Sequence, residues 1–157
     1  MHVIVGLISD THGLLRPEVY EALDGVELIL HAGDVGGHRI LIELGTIAPV
    51  RAVYGNTDSP GEPGLAAEIG LRLEGLTIHV SHGHELGRPT VERLLARHDA
   101  DIIVYGHTHK PLIERSGKRL VVNPGAAGPR RFDLKPSVAR LTLVSGRADV
   151  QLIWLSR

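Results

Sequence analysis

The chain contains no cysteine and few aromatic residues. Its 157 residues include one tryptophan, three tyrosines and one phenylalanine, and its net charge at neutral pH is −1. Without cysteine, the chain can form neither a disulfide nor a thiolate metal site. Without basic patches or aromatic stacking platforms, stable nucleic-acid binding is not expected. A nucleotide remains possible as a small-molecule substrate.

Long apolar runs are also missing, and no basic-plus-apolar leader is evident in the sequence. We therefore expect no membrane segment and a cytoplasmic location. The length fits a single domain over residues 1–157 that can bury a sizeable core. The sequence does not fix the oligomeric state, and it is compatible with a homo-oligomer.

Short apolar runs alternate with helical patterns along the chain, and turn residues separate them. Helices are predicted over residues 16–23, 37–44 and 88–97. Two hairpins are predicted, with strands over 68–73 and 76–80 and over 138–144 and 148–154. The other predicted strands cover residues 3–8, 27–30, 50–54, 102–105 and 119–122.

Polar segments follow five of the predicted strands. Since open α/β sheets bind ligands at the carboxyl ends of their strands, these segments are expected to meet at one rim. Their carboxylate, amide and imidazole groups are ligands for divalent metal ions. The segments are Asp10-Thr11-His12, Gly33-Asp34, Gly55-Asn56-Thr57-Asp58, His82-Gly83-His84 and Gly106-His107-Thr108-His109.

The spacing within two of these segments suggests shared ligation. Asp10 and His12 are two residues apart, so on an extended chain their side chains point to the same side and could grip one ion. The same holds for His107 and His109, although a tight loop would direct them toward two neighbouring ions. A glycine precedes Asp34, Asn56 and His107, which allows the backbone to approach a ligand closely.

In this order the segments resemble the D-x-H, G-D, G-N-x-D, H-G-H and G-H-x-H motifs of the calcineurin-like metallophosphoesterases. The resemblance is to the small bacterial and archaeal phosphodiesterase branch, covers nearly the whole chain and includes the blocks Asn123-Pro124-Gly125-Ala126 and Pro129-Arg130. It implies an α/β fold, a four-layer α-β-β-α sandwich of two mixed β-sheets flanked by helices. It also implies that the C-terminal hairpin belongs to the second sheet. Secondary structure alone would equally allow one doubly wound sheet over the first hundred residues.

The resemblance further implies a site for two divalent metal ions about 3.5 to 4 Å apart, with a hydroxide between them that attacks phosphorus. Asp34 would bridge the ions. Mn²⁺ is the preferred metal because oxygen-rich, octahedral sites suit it, while Fe, Zn and Ni²⁺ are possible. One ion would be bound by Asp10, His12 and His109, and the other by Asn56, His82 and His107.

Five residues are candidates for contact with the substrate. Many phosphatases of this fold carry a histidine, acting as a general acid, at the position of Thr57, and a threonine hydroxyl has no useful pKa for that role. His84 could replace the acid, or could be a supporting or surface histidine. Asn56 could touch a phosphate oxygen besides binding metal. Arg130, with its neighbour Arg131, could clamp a phosphate or lie in solvent.

Two further polar residues are interpreted as supports. Asp58 is expected to anchor the loop that carries Asn56. His31, on a buried strand before Asp34, is expected either to hydrogen-bond a neighbouring ligand or backbone carbonyl or to pack in the core.

The sequence therefore predicts a metal-dependent phosphodiesterase acting on a small-molecule phosphodiester. One alternative is a protein-interaction scaffold, since a eukaryotic retromer subunit resembles this fold and works by binding proteins. The other is a phosphomonoesterase, which a histidine in place of Thr57 would have favoured. A complete set of seven metal ligands favours an enzyme over a scaffold.

Overall fold

The computed structural model describes residues 2–131 and 133–155, and this part of the chain contains eleven strands, three α-helices and one 3-10 helix. The first elements are β1 (His2–Ile8), α1 (Glu18–Ala22), β2 (Leu28–His31), α2 (His38–Leu44), β3 (Val50–Val53), β4 (Leu65–Ala66), β5 (Ile69–Leu73) and β6 (Leu76–Val80). The 3-10 helix (His84–Leu86) follows, and then α3 (Val91–Arg97), β7 (Ile102–Val104), β8 (Leu112–Ser116), β9 (Arg119–Asn123), β10 (Ser137–Val144) and β11 (Arg147–Trp154).

The strands form two mixed sheets. The first has six strands in the order β11-β10-β1-β2-β3-β4, and the second has five in the order β5-β6-β7-β9-β8. In the first sheet β1 to β4 run parallel, and β10 and β11 add antiparallel strands at one edge. In the second sheet β6, β7 and β9 are parallel, and β5 and β8 are antiparallel edge strands.

Alternate side chains of the central strands enter different layers, as a period of two requires. In β1, Val5 and Leu7 join the core between the sheets, whereas Ile8 faces α1 and α2 on the outer side. On the second sheet Leu94 of α3 packs against Ile103. The layers are therefore helix, sheet, sheet and helix, and the predicted four-layer α-β-β-α sandwich is confirmed. None of the described helices is long and apolar enough to cross a membrane.

The expected place of the C-terminal hairpin is wrong. β10 pairs antiparallel with β1 in the first sheet, with Leu141 opposite Val5, instead of joining the second sheet. In this position Ala139, Leu141 and Leu143 of β10 all enter the apolar layer between the sheets. The second sheet is instead completed by β8 and β9, which pair next to β7.

Two strands were not predicted, and the helices are shorter than expected. β4 has only two residues, and four of the five residues of β8 are exposed, so neither has an apolar period. α3 begins at Val91 instead of residue 88, because the hydroxyl of Thr90 accepts a hydrogen bond from the N–H of Arg93 at 3.2 Å and caps the helix there.

Candidate metal centre

The loops after β1 and β2 are joined by backbone hydrogen bonds. The N–H of Asp10 donates to Gly33 at 2.9 Å, and the N–H of His12 donates to Asp34 at 2.9 Å. From the second sheet, the N–H of His107 donates to Oδ2 of Asp10 at 3.2 Å. Both sheets thus bring their polar loops to one end of the sandwich, and the seven predicted metal-binding residues meet there.

One half of this centre contains Asp10, His12 and His109. The Nε2 atoms of the two histidines are 3.4 Å apart, and Oδ1 of Asp10 is 3.7 Å from His12 and 3.3 Å from His109. The other oxygen of Asp10 accepts hydrogen bonds from Ser9 and from the His107 backbone, which orients the carboxylate. Oδ1 is buried without a hydrogen-bond partner and is therefore available to a cation.

The other half contains Asn56, His82 and His107. Oδ1 of Asn56 is 3.0 Å from Nε2 of His82 and 3.2 Å from Nδ1 of His107. His107 and His109 therefore contribute to different halves, as the tight-loop alternative requires. Asp34 lies between the halves, because its Oδ2 is 3.6 Å from Nε2 of His12 and 3.2 Å from Nε2 of His82.

The hydrogen bonding of His82 shows that a cation fits this centre. Its Nδ1 lies 2.8 Å from the carbonyl oxygen of Ala32, which can only accept, so Nδ1 carries a proton. In the neutral ring Nε2 then carries a lone pair and is itself an acceptor. It faces two further acceptors, the side-chain oxygens of Asp34 and Asn56. Acceptors this close to one another need a positive charge between them, and an imidazole bonded to a backbone carbonyl is a common metal ligand.

The pKa values of the two carboxylates in the centre are both lowered. Burial alone would raise the pKa of Asp10, but the nearby rings of His109 and His12 and the charge of His82 hold it well below its usual value. Burial opposes the shift at Asp34 too, where hydrogen bonds from His82 and Thr57 lower the pKa to about 2. Both carboxylates are thus ionised at neutral pH and ready to bind cations.

The histidines of the second half shift in opposite directions. Burial lowers the pKa of His82, but the hydrogen bond to Asp34 and the charge of Asp10 outweigh it and leave the pKa raised. The pKa of His107 is lowered by burial and by the charge of His82. In the metal-free centre a proton on His82 can therefore occupy the place of a cation.

The backbone at the centre adopts conformations that are uncommon for residues with side chains. Asp10, His12, Asp34, His107 and His109 have φ between 46° and 72°, in the left-handed region. The extended chain assumed for Asp10 and His12 is therefore wrong, although both side chains still reach the same half. Such conformations persist where surrounding contacts impose them, and they concentrate at functional sites.

Glycines permit the close approach of the loops, as predicted. A Cβ atom at Gly33 would lie 2.6 Å from Nδ1 of His82. A Cβ atom at Gly55 would overlap the carboxylate of Asp34. At both positions any larger residue would displace a side chain of the centre.

Asp58 anchors the loops around the centre. Its carboxylate accepts backbone hydrogen bonds from Val35 at 3.0 Å, Gly36 at 3.1 Å and Gly55 at 2.9 Å. It thereby fixes the loop after β2 to the loop after β3, which carries Asn56.

His31 supports the centre through a chain of hydrogen bonds. Its Nδ1 accepts from the N–H of Gly33 at 3.1 Å, so in the neutral ring the proton is on Nε2, 3.0 Å from the hydroxyl of Thr11. That hydroxyl in turn donates to the carbonyl of Val35 at 2.7 Å. Burial lowers the pKa of His31 to about 4, which keeps the ring neutral. His31 thus has a supporting role, but its partners are a backbone N–H and a hydroxyl instead of the expected ligand or backbone carbonyl.

The predicted substrate residues differ in their contacts with the centre. Thr57 is exposed, and its N–H donates to Oδ1 of Asp34 at 2.9 Å. The ring of His84 is centred 5.3 Å from that of His82 and 6.4 Å from that of His107. Arg130 and Arg131 are both exposed, and Arg131 lines a cavity together with His107 and His109.

Asn123 is a supporting residue to which sequence reasoning assigned no role. Its Nδ2 donates to the carbonyl of Gly106 at 3.2 Å and to the hydroxyl of Thr108 at 3.0 Å, and its Oδ1 accepts from Gly125 at 2.9 Å. It therefore positions the loop that carries His107 and His109. The only signal was its place in the family-like block of residues 123–126.

Residues 3–146 match the sequence profile of the calcineurin-like phosphoesterase superfamily domain. The chain therefore belongs to the calcineurin-like phosphoesterase superfamily, and the resemblance inferred from its motifs is confirmed.

The similar proteins carry the names metallophosphoesterase, phosphodiesterase and Vps29. A probable metallophosphoesterase of Methanothermobacter thermautotrophicus is 36% identical, over 96% of this chain and 92% of the relative. The phosphodiesterase YfcE of Escherichia coli is 32% identical, over 75% of this chain and 76% of the relative. The solved structure of Vps29 from Entamoeba histolytica complexed with Zn²⁺ is 25% identical, with a TM-score of 0.78, over 98% of this chain and 100% of that one.

Proposed function

We propose that this protein is a phosphodiesterase that uses two divalent metal ions. The observation that carries the proposal is the arrangement of acceptor atoms around His82, whose Nε2 faces Oδ2 of Asp34 at 3.2 Å and Oδ1 of Asn56 at 3.0 Å. The buried, unpartnered Oδ1 of Asp10 adds a third acceptor that a cation would satisfy.

Seven residues would hold the ions in this proposal. Asp34 would bridge them, with Asp10, His12 and His109 on one side and Asn56, His82 and His107 on the other. Mn²⁺ is the preferred metal, with Fe, Zn or Ni²⁺ as the other candidates. When bound, such a pair supplies a water that loses its proton near neutral pH and positive charge for the phosphoryl oxygens.

The protein's own groups would position the substrate. The N–H of Thr57 holds Oδ1 of Asp34, so that Oδ2 stays directed into the centre. Since Thr57 supplies no proton, the leaving oxygen depends on its own acidity or on His84. In this proposal Asn56 would also contact a phosphate oxygen through its amide, and Arg130 remains a candidate for a phosphate contact from the loop after β9.

The names of the relatives support phosphodiester hydrolysis but do not decide it. YfcE is named a phosphodiesterase, whereas Vps29, a vacuolar protein sorting protein, represents the scaffold alternative. Because that Vps29 was solved with Zn²⁺, a set of metal ligands alone does not separate the two functions. Turnover separates them. A cytoplasmic location stays a prediction from the sequence.

The test combines metal content with a substrate panel. The purified protein is analysed for bound metal, stripped with a chelator and reloaded with Mn²⁺, Zn²⁺ or Ni²⁺. We expect two ions per chain and hydrolysis of bis-p-nitrophenyl phosphate that chelation removes and metal restores. We also expect p-nitrophenyl phosphate, a monoester, to react more slowly. Two bound ions without turnover of any ester would favour the scaffold, and faster monoester turnover would favour the phosphomonoesterase.

A further inference from the structure

A cavity of about 200 Å³ borders the candidate metal centre on the side of His107 and His109. It is smaller than the pockets of roughly 300 to 1,000 Å³ that enclose whole ligands. The cavity therefore suits one small chemical group of a larger molecule whose main part is bound at the metal centre. The remaining lining residues are Thr108, Lys110, Arg131 and Leu134.

The charge of this cavity has one sign. Lys110 and Arg131 each contribute a cation, and no carboxylate is among the lining residues. Within residues 2–131 and 133–155, neither cation forms an ion pair. Asp10 and Asp34 are buried inside the centre and are engaged by its histidines. The cavity is thus a positively charged recess beside a phosphoesterase centre.

The backbone beneath both cations is fixed. The N–H of Leu134 donates to the carbonyl of Arg131 at 3.0 Å, and the two residues form an isolated β-bridge. The N–H of Lys110 lies 3.3 Å from the hydroxyl of Thr108, which Asn123 holds from the other side at 3.0 Å. Arg130 is not a lining residue. Part of the ordering that anion binding requires is therefore already present.

We infer that this cavity is an anion subsite that binds a second phosphate carried on one arm of the diester substrate. The inference rests on the proposed function, because the centre must hold the first phosphate. A guanidinium matches the geometry of phosphate oxygens with two parallel hydrogen bonds, and an ammonium adds a compact charge. The substrate class is accordingly a phosphodiester of a phosphorylated alcohol, such as a nucleoside that carries a further phosphate.

The first experiment measures binding and does not depend on turnover. Thymidine 3′,5′-bisphosphate and thymidine 5′-phosphate differ by one phosphate, and calorimetry on the Mn²⁺-loaded protein gives the affinity ratio. We expect the bisphosphate to bind about 10-fold more tightly or better, since charged hydrogen bonds are among the stronger ones. The ratio should fall toward one in Arg131→Ala and Lys110→Ala, and Arg131→Glu should bring it to one or below.

The controls are cations of the same types at the opposite end of the sandwich. Lys118 and Arg147 line a different cavity beside Leu76 and Ile102, the first residues of β6 and β7. Lys118→Ala and Arg147→Ala should keep the wild-type ratio. If the control variants lower the ratio as much as Lys110→Ala and Arg131→Ala, the effect is one of net charge and the subsite is wrong.

The second experiment separates this inference from the proposed function. Thymidine 5′-(p-nitrophenyl phosphate), with and without a 3′-phosphate, gives a ratio of kcat/KM that should exceed one and fall in the Arg131 and Lys110 variants. If diesters are hydrolysed but the wild-type ratio is one in both experiments, the subsite is wrong and the phosphodiesterase stands. If no diester is hydrolysed but the bisphosphate still binds more tightly through Arg131, the subsite stands and the phosphodiesterase fails.

Discussion

The backbone N–H of Thr57 donates a 2.9 Å hydrogen bond to Oδ1 of Asp34. This bond turns the carboxylate so that Oδ2 lies 3.6 Å from His12 and 3.2 Å from His82, between the two halves of the centre. One oxygen is thus held by the protein, and the other is left for cations. Because the bond comes from the backbone, the side chain at position 57 can change while Asp34 stays oriented.

Asp34→Ala should empty the centre while the fold survives. The substitution removes the carboxylate that both halves share, so we expect the metal content to fall. Hydrolysis should drop at least about 10²-fold, which is more than the usual effect of losing a residue that only orients a metal ligand. Metal per chain and kcat/KM are measured together with the far-UV circular dichroism. Asp149→Ala, at an 85% exposed side chain, is the matched control and should retain both ions. Two ions per chain in Asp34→Ala would show that Asp34 is not the bridge.

Asp58→Ala should destabilise the folded protein. The carboxylate accepts three backbone hydrogen bonds between the loops after β2 and β3, and its loss leaves buried N–H groups without a partner. We expect the free energy of unfolding to fall by about 3 kcal/mol. Asp58→Asn, which keeps one acceptor oxygen, should lose less. Denaturant unfolding of the metal-free protein measures both, and an unchanged midpoint in Asp58→Ala would contradict the anchoring role.

His31 should make the folded protein sensitive to mild acid. Its pKa is lowered by burial to about 4 when folded, against 6.5 in the unfolded chain. Between these values only the unfolded chain binds the proton, so stability is present above pH 6.5 and is lost as the pH falls toward 4. The loss attributable to this residue should be about 1.4 kcal/mol per pH unit, or roughly 3 kcal/mol in total.

His31→Asn tests this by removing the titrating ring while keeping an acceptor for the N–H of Gly33. We expect the variant to be less stable at pH 7 but to show a shallower fall in unfolding free energy between pH 6.5 and 4. His2→Asn, at an exposed position of β1, is the control and should keep the wild-type slope. Denaturant unfolding of metal-free protein over a pH series supplies the measurement. Equal slopes for His31→Asn and wild type would mean that His31 does not carry this dependence.

The layers of the fold were predicted from the resemblance to the family, and the pairing of the sheet edges was not predicted correctly. Alternation in β1 separates Val5 and Leu7 from Ile8, but this period also allowed a single doubly wound sheet. It does not reveal which neighbour pairs with an open edge, so the C-terminal hairpin was assigned to the wrong sheet. Nor does it reveal β4, whose two residues pair with β3 through tertiary contacts alone.

The seven residues proposed to hold metal were accessible from the sequence because each lies in a segment after a predicted strand. Three of them, Asp34, Asn56 and His107, directly follow a glycine. What the sequence could not supply is the direction of adjacent side chains in loops. Arg130 and Arg131 are equivalent as sequence, yet only Arg131 lines the cavity beside His107. Similarly, His98 carried no signal, although its ring stacks on His79 with centroids 3.7 Å apart. That contact depends on how the end of α3 meets β6.

The threonine at position 57 provides no proton for the leaving group. In the proposed phosphodiesterase the rate should therefore depend steeply on the pKa of the leaving alcohol, with bis-p-nitrophenyl phosphate hydrolysed readily and alkyl esters slowly. Thr57→His should flatten this dependence by accelerating the poorest leaving groups roughly 10²-fold, while good leaving groups barely respond. The backbone bond from residue 57 to Asp34 is retained in the variant, so metal content should not change. A shallow dependence in the wild type would show that another acid acts. His84, whose ring is centred 6.4 Å from that of His107, is the first candidate, and His84→Ala should then steepen the dependence at unchanged metal content.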